Sequence, residues 1–145
     1  MAPQPASGTS APTGEFAGRT ALVTGGGAGI GAATARLLAV SGATLIVADL
    51  DAQAAASIAE GIRAMGADAE SLALDVSDPH AVEAALAGIG ARHGGLDLAV
   101  NNAGIAPRLS PIGECAPENW RRVMDVNLDG VFYCLRYEIP QMLRR

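Results

Sequence analysis

The residue types best suited to chemistry stand in a few short segments of this sequence. In Thr24-Gly25-Gly26-Gly27-Ala28-Gly29-Ile30-Gly31, five glycines fall between an apolar run (Thr20–Thr24, TALVT) and a helical period that starts at Ile30. Amide N–H groups at a helix start have no intrahelical acceptor, and the helix dipole adds about half a positive charge there. Such a junction is where a pyrophosphate binds. Glycines let the phosphate approach without meeting a Cβ, and Gly31 lets the helix pack close to the strand. Two registers fit the pattern: Gly27-x-Gly29-x-x-Ala32, a dinucleotide fingerprint with Ala in third place, and Thr24-Gly25-x-x-x-Gly29-x-Gly31 with wider spacing.

Asp49 closes the next apolar run, 18 residues beyond Gly31. A carboxylate at that place accepts hydrogen bonds from ribose hydroxyls and repels a 2′-phosphate. No Arg stands in the glycine loop or directly after Asp49, where the residues are Ala28 and Leu50. The pattern therefore points to NAD in preference to NADP. Two further segments, Asp75-Val76 and Asn101-Asn102-Ala103-Gly104, also follow apolar runs directly.

The elements that must hold these residues alternate. Strands are expected at Thr20–Thr24, Thr44–Ala48, Ala69–Leu74 and Leu96–Val100, as continuous apolar runs rather than alternating ones. Helices are expected from Ile30 to Val40, then after Asp51 as cap with Ile58, Ile62 and Met65 inward. A third starts at Ser77-Asp78-Pro79, with Ser77 as cap, Val82, Leu86 and Ile89 inward, and Gly94-Gly95 as its stop. A last long helix is expected from about Glu118 to Leu143. Strand and helix in alternation imply parallel pairing with right-handed crossovers. The expected fold is a doubly wound, Rossmann-like α/β sheet of order 3-2-1-4, with a ligand crevice at the switch point between strands 1 and 4.

Composition narrows the function. The chain has 145 residues and net charge −5; its ten basic residues are all Arg, and it contains no Lys. With no basic stripe to neutralise phosphates, a nucleic-acid partner is not expected. No apolar run reaches the ~18 residues of a membrane span. Cys115 and Cys134 have neither metal nor redox spacing, so no metal site is expected and both read as reduced thiols. Residues 1–15, rich in Pro, Ser, Ala and Gly, read as a flexible tail before a single domain over 16–145, and no secretory or mitochondrial signal is recognisable. The expected location is the cytoplasm.

Thr24–Gly31, Asp49, Asp75-Val76, Asn101–Gly104 and Asn127 within Val126-Asn127-Leu128-Asp129-Gly130 together resemble the short-chain dehydrogenase/reductase family of the classical type. The resemblance runs from the first strand to the last helix. It implies that Thr24, Gly25, Gly27, Gly29, Ile30, Gly31 and Asp49 hold NAD, that Asp75 and Val76 border the adenine, and that Asn102, Ala103 and Gly104 line the cofactor cleft. It also implies that Asn127 marks a helix kink and anchors a water in the proton relay. Trp120, Val123, Met124, Val131 and Leu135 around it read as helix core or subunit contact, which makes the 118–143 helix a route to a homo-oligomer.

The family's Ser and Tyr-x-x-x-Lys follow the long helix and are missing from these residues. Tyr133 is followed four residues on by Tyr137, and Tyr137 by Gln141. Ser110 comes too early, and His80 and His93 read as surface residues. The expectation is the NAD-binding part of an oxidoreductase that moves hydride between NAD and a small alcohol or carbonyl substrate, with the catalytic half supplied from elsewhere. The alternative is a non-catalytic dinucleotide-binding module or a truncated remnant. Strand 4 is expected to be an open apolar edge, leaving the isolated chain marginally stable or self-associating.

Overall fold

The computed structural model describes residues 14–145. Residues 1–13 of the expected tail lie outside the described residues. Gly14 and Glu15 already belong to a turn running to Gly18, tied to the body by the Phe16 amide donating to the Ser41 carbonyl at 2.8 Å.

The elements are β1 (Thr20–Thr24), α1 (Gly29–Val40), β2 (Thr44–Asp49), α2 (Ala52–Ala64), β3 (Ala69–Ala73), α3 (Pro79–His93), β4 (Leu98–Asn101), α4 (Pro117–Met124) and α5 (Gly130–Met142). All strands pair in parallel in the order β3-β2-β1-β4, as the sequence predicts. The pleat sends alternate side chains to opposite faces. Ala21, Val23, Leu45 and Val47 pack with α1 and α2 on one face, whereas Leu22, Ile46 and Ala48 pack toward α3 and α5 on the other. β1 is buried along its whole length. Ile58 and Ile62, one turn apart on α2, seal the first core, each burial worth about 1.5–3 kcal/mol.

Helix ends follow local chemistry. The Asp51 carboxylate accepts from the amides of Gln53 and Ala54, both at 3.0 Å, and caps α2. Gly94, at φ +74°, ends α3 in the left-handed conformation. The α3 cap, however, is Asp78 and not Ser77. Pro79 takes the first helical position and holds its predecessor extended (φ −97°, ψ 106°), so the Asp78 carboxylate reaches the amides of His80 and Ala81. Ser77 instead donates through N and Oγ to Asp75 Oδ1, at 2.9 and 2.6 Å.

The expected long helix is two helices joined by a π turn over Asp125–Asp129, centred on Asn127. Periodicity predicted the helical character of both halves but not the extra residue in the turn between them. Along this stretch Trp120, Leu128, Phe132, Leu135 and Ile139 are exposed, while Val123, Met124 and Val131 are half-buried. His80 is exposed, and half-buried His93 stands 3.4 Å from Glu70. No helix is long and apolar enough to cross a membrane among the described residues.

Asp97 ties the start of β1 to the end of α5. Its carboxylate, 4 % exposed, accepts from the Thr20 amide (2.8 Å), Arg19 (2.9 Å) and Arg145 (2.7 Å). The Arg145 bond is the strongest of the influences that pull its pKa down to about 2, against desolvation acting the other way. A carboxyl depressed on folding contributes stability above its unfolded value near 4, and that stability is lost as pH falls through about 2. Asp97→Asn is expected to lose roughly 2 kcal/mol at pH 7. The gap from the unsubstituted protein should close between about pH 4 and 2 in urea melts; a gap unchanged at pH 2 would contradict the assignment.

Candidate functional site

The carboxyl ends of β1, β2 and β4, with the residues after β3, surround a cleft of about 600 Å³. It opens between β1 and β4, where consecutive connections leave the sheet in opposite directions.

Its floor is the glycine loop. Gly25 adopts φ +63°, and a Cβ there would stand 2.8 Å from Ala103 Cα, so the loop can lie against the β4 turn only with glycine. α1 starts at Gly29 with Ala28 as its N-cap; no side chain caps it and no acidic residue occupies its first turn. Its leading amides are thus left for an external acceptor. Gly31 does not line the cleft: a Cβ on it would collide with the Gly25 carbonyl oxygen and come within 2.6 Å of Asn102 Nδ2.

Asp49 forms the wall at the end of β2. Its Oδ2 accepts from the Gly27 amide at 2.9 Å and its Oδ1 from the Asp51 amide at 3.0 Å. Each oxygen keeps a further lone pair, so the carboxylate is aimed by the backbone while still able to accept from a ligand. Across the cleft, Thr24 Oγ1 accepts from the amides of Asn102 (3.1 Å) and Ala103 (3.2 Å). The Asn102 side chain donates to the Thr24 and Gly25 carbonyls at 3.1 and 3.0 Å. This lattice locks the ends of β1 and β4 together.

Of the residues singled out in the sequence, Thr24, Gly25, Gly29, Asp49, Asp75, Val76, Asn102, Ala103 and Gly104 line one cleft. Gly27, Ile30, Gly31 and Asn127 do not. Gly27 packs behind Asp49, and Ile30 is 79 % exposed. Asn127 stands just outside: its Oδ1 accepts from the Ile105 amide at 2.9 Å and its Nδ2 donates to the Ile105 carbonyl at 3.0 Å. That paired contact fastens the loop after β4 to the π turn, where widened backbone geometry presents the amide. Leu74, Ile105 and Val126 also line the cleft and were not singled out. Their only sequence signal was adjacency to Asp75, Gly104 and Asn127.

The arrangement offers an anion site at the α1 start, a fixed hydroxyl acceptor at Asp49, and apolar walls at Val76, Leu74 and Ala48 for a flat ring. A nucleotide with its phosphates toward α1 has that order of features. A family model described as short chain dehydrogenase matches residues 19–145. Cyclohexanol dehydrogenase of Acinetobacter sp. (strain SE19) is 40 % identical over 129 residues, covering 89 % of this chain and 51 % of that protein. A metagenomic short-chain oxidoreductase solved in complex with NADP superposes with TM-score 0.84 at 37 % identity, covering 87 % of this chain and 57 % of that one. NAD+-bound xylitol dehydrogenase superposes with TM-score 0.86 at 31 % identity, covering 89 % and 50 %. The chain spans about half the length of the curated relatives it matches. With the family model over nearly all the described residues and the same parallel sheet in its solved relatives, the chain belongs to the short chain dehydrogenase family.

Proposed function

We propose that this chain is the NAD-binding part of an oxidoreductase that transfers hydride between NAD and a small alcohol or carbonyl substrate. The observation that carries the reading is Asp49, fixed by two backbone amides at the cleft wall opposite an uncapped helix start. A solved relative bound to NAD+ and another bound to NADP support a nicotinamide dinucleotide as the ligand class.

When bound, such a cofactor accepts or donates a hydride at its nicotinamide ring. The chain's own residues bind and orient it. The amides at the start of α1 take the pyrophosphate; Gly29 keeps a Cβ out of the open space there, while Gly25 and Gly27 let the loop pack against Ala103 and Asp49. Asp49 accepts from the adenosine ribose hydroxyls, and its charge disfavours a 2′-phosphate. Asp75 and Val76 border the adenine, Val76 as an apolar surface, while Asn102, Ala103 and Gly104 form the wall opposite. Asn127 holds Ile105 and, by family resemblance, carries the water of the proton relay. Proton transfer to the substrate belongs to a Ser and a Tyr-x-x-x-Lys outside these 145 residues, which hold no Lys. Self-association is assigned to the 118–143 stretch, whose exposed Phe132, Leu135 and Ile139 offer apolar area.

Thermal unfolding with NAD and NADP in parallel tests the reading. NAD at about 100 times its Kd should stabilise the fold by roughly 2.7 kcal/mol, and NADP at equal concentration by less. Equal shifts remove Asp49 from its role, and no shift with either rejects the reading. Adding a segment with the Ser and the Tyr-x-x-x-Lys should then create activity; binding without any gain of turnover would instead mark a non-catalytic dinucleotide module.

A further inference from the structure

A polar cluster lies buried between the end of β4 and α5, outside the lining of the cleft. Glu138 is 1 % exposed, and its Oε2 accepts from Asn101 Nδ2 at 2.8 Å. Its other oxygen, Oε1, and the Asn101 Oδ1 are both buried with no hydrogen-bond partner. Cys134 sits one turn earlier on α5 and is equally buried.

The charges around this pair give it no counterion. Among the described residues no arginine or histidine pairs with Glu138. From α3, Glu83 is engaged by the Tyr137 hydroxyl at 3.4 Å. From the π turn, Asp125 and Asp129 make no bond to it, and β4 contributes only the neutral Asn101. On α5 itself the neighbour is Cys134, whose thiol is pushed up to about 12, chiefly by burial, and so is neutral. Burial likewise pushes the Glu138 carboxyl above its usual range, against a smaller lowering by the Asn101 N–H.

An ionised carboxylate here would be an unpaired buried charge beside a second buried acceptor with no donor. A carboxamide offers one donor side and one acceptor, and a carboxylic acid offers the same pair. A single proton on Glu138 turns one orphaned acceptor into a donor, and the other orphan is the acceptor it lacks. We propose that Glu138 is a neutral carboxylic acid in the folded protein, closing a two-hydrogen-bond pair with the Asn101 carboxamide. It thereby acts as a positioning residue, fixing the end of β4 from which Asn102, Ala103 and Gly104 turn into the cleft.

The sign of the pH dependence follows. A carboxyl raised on folding contributes stability that is fully present below its unfolded value near 4.5 and lost as pH rises through the folded value. Between those limits the folding constant falls about tenfold per pH unit for the one proton.

The test uses infrared spectroscopy and pH-resolved unfolding of the protein and its E138Q variant, without nucleotide. Glutamine keeps the two-bond pairing and removes the proton. The unsubstituted protein should show the C=O stretch of an un-ionised acid at neutral pH, absent in E138Q. Its folding constant should fall above about pH 4.5 relative to that of E138Q. Absence of the acid band, or parallel stability curves, would overturn the protonated state. If E138Q fails to fold, 13C-glutamate labelling of the unsubstituted protein identifies the same band by its isotope shift.

The positioning role rests on the proposed nucleotide site and is read separately, as NAD affinity against pH. Affinity should weaken with rising pH in the unsubstituted protein and stay level in E138Q. Level profiles in both would overturn the positioning role. An acid band in a protein that binds no NAD would sink the proposed nucleotide site and leave the protonated pair standing.

Discussion

Replacing Gly31 with valine is expected to destabilise the domain by about 3–5 kcal/mol and to weaken NAD binding by roughly 100-fold or more. A Cβ at Gly31 has nowhere to go: it meets the Gly25 carbonyl oxygen and the Asn102 amide nitrogen 2.6 Å away. α1 must move off the loop, and overpacking of this kind costs about 1–3 kcal/mol. The shift also strains the Asn102 bonds to the Thr24 and Gly25 carbonyls, which are part-buried and cost about 1–3 kcal/mol when left unmade. The α1 amides then no longer face the phosphate position, and losing two charge-assisted bonds of about 1.5 kcal/mol each gives the affinity change. Gly61→Ala supplies the control. It lies inside α2 with open space where its Cβ would be, so alanine should stabilise by about 0.5–1 kcal/mol and leave binding alone. Urea melts with titration calorimetry check both. A Gly31→Val protein that binds NAD normally would remove α1 from phosphate binding.

Much of this architecture was legible in the sequence because two signals agreed. The strands TALVT and TLIVA are apolar on both faces, which a parallel sheet covered by helices demands, and the turn residues between them fall at regular places. The strand order came from the right-handed crossover rule and the doubly wound pattern of alternating strands and helices. The limits were local. Ser77 and Asp78 are both good capping residues, and only the backbone set by Pro79 decides between them. The π turn at Asn127 was signalled only by the family resemblance, which implies a kink there; composition carries no sign of it, since one inserted residue leaves the apolar spacing on each side intact. Leu74, Ile105 and Val126 could not be placed in the cleft by type, because an apolar residue beside a motif reads the same as one in the core. The buried pair of Asn101 and Glu138 was least visible of all. Glu138 sits 37 residues from its partner, and on a partly exposed helix a carboxylate reads as solvated surface.

Removing the charge at Asp49 is expected to change which dinucleotide the cleft prefers. Two unit charges about 4 Å apart interact by roughly 1–4 kcal/mol between the dielectric of water and that of a protein surface. A 2′-phosphate placed where the ribose hydroxyls bond to Asp49 meets that repulsion and forfeits the hydrogen bond as well. Asp49→Asn carries no charge and keeps one acceptor oxygen, enough for one of the Gly27 and Asp51 amides, which bond to different oxygens of the carboxylate. The ratio of NADP to NAD dissociation constants should therefore fall by roughly 5- to 1,000-fold, with a stability loss of about 1–3 kcal/mol for the one amide left without its acceptor. Asp49→Ala should show the same loss of discrimination with a larger stability cost, because both amides lose their acceptor. Salt separates charge from shape. The cleft is open to solvent, so discrimination by the unsubstituted protein should shrink between low salt and 0.5 M, whereas that of Asp49→Asn should hardly move. A ratio equal in all three proteins would mean that Asp49 serves only to fasten the glycine loop, and that cofactor choice lies with residues on the far side of the cleft.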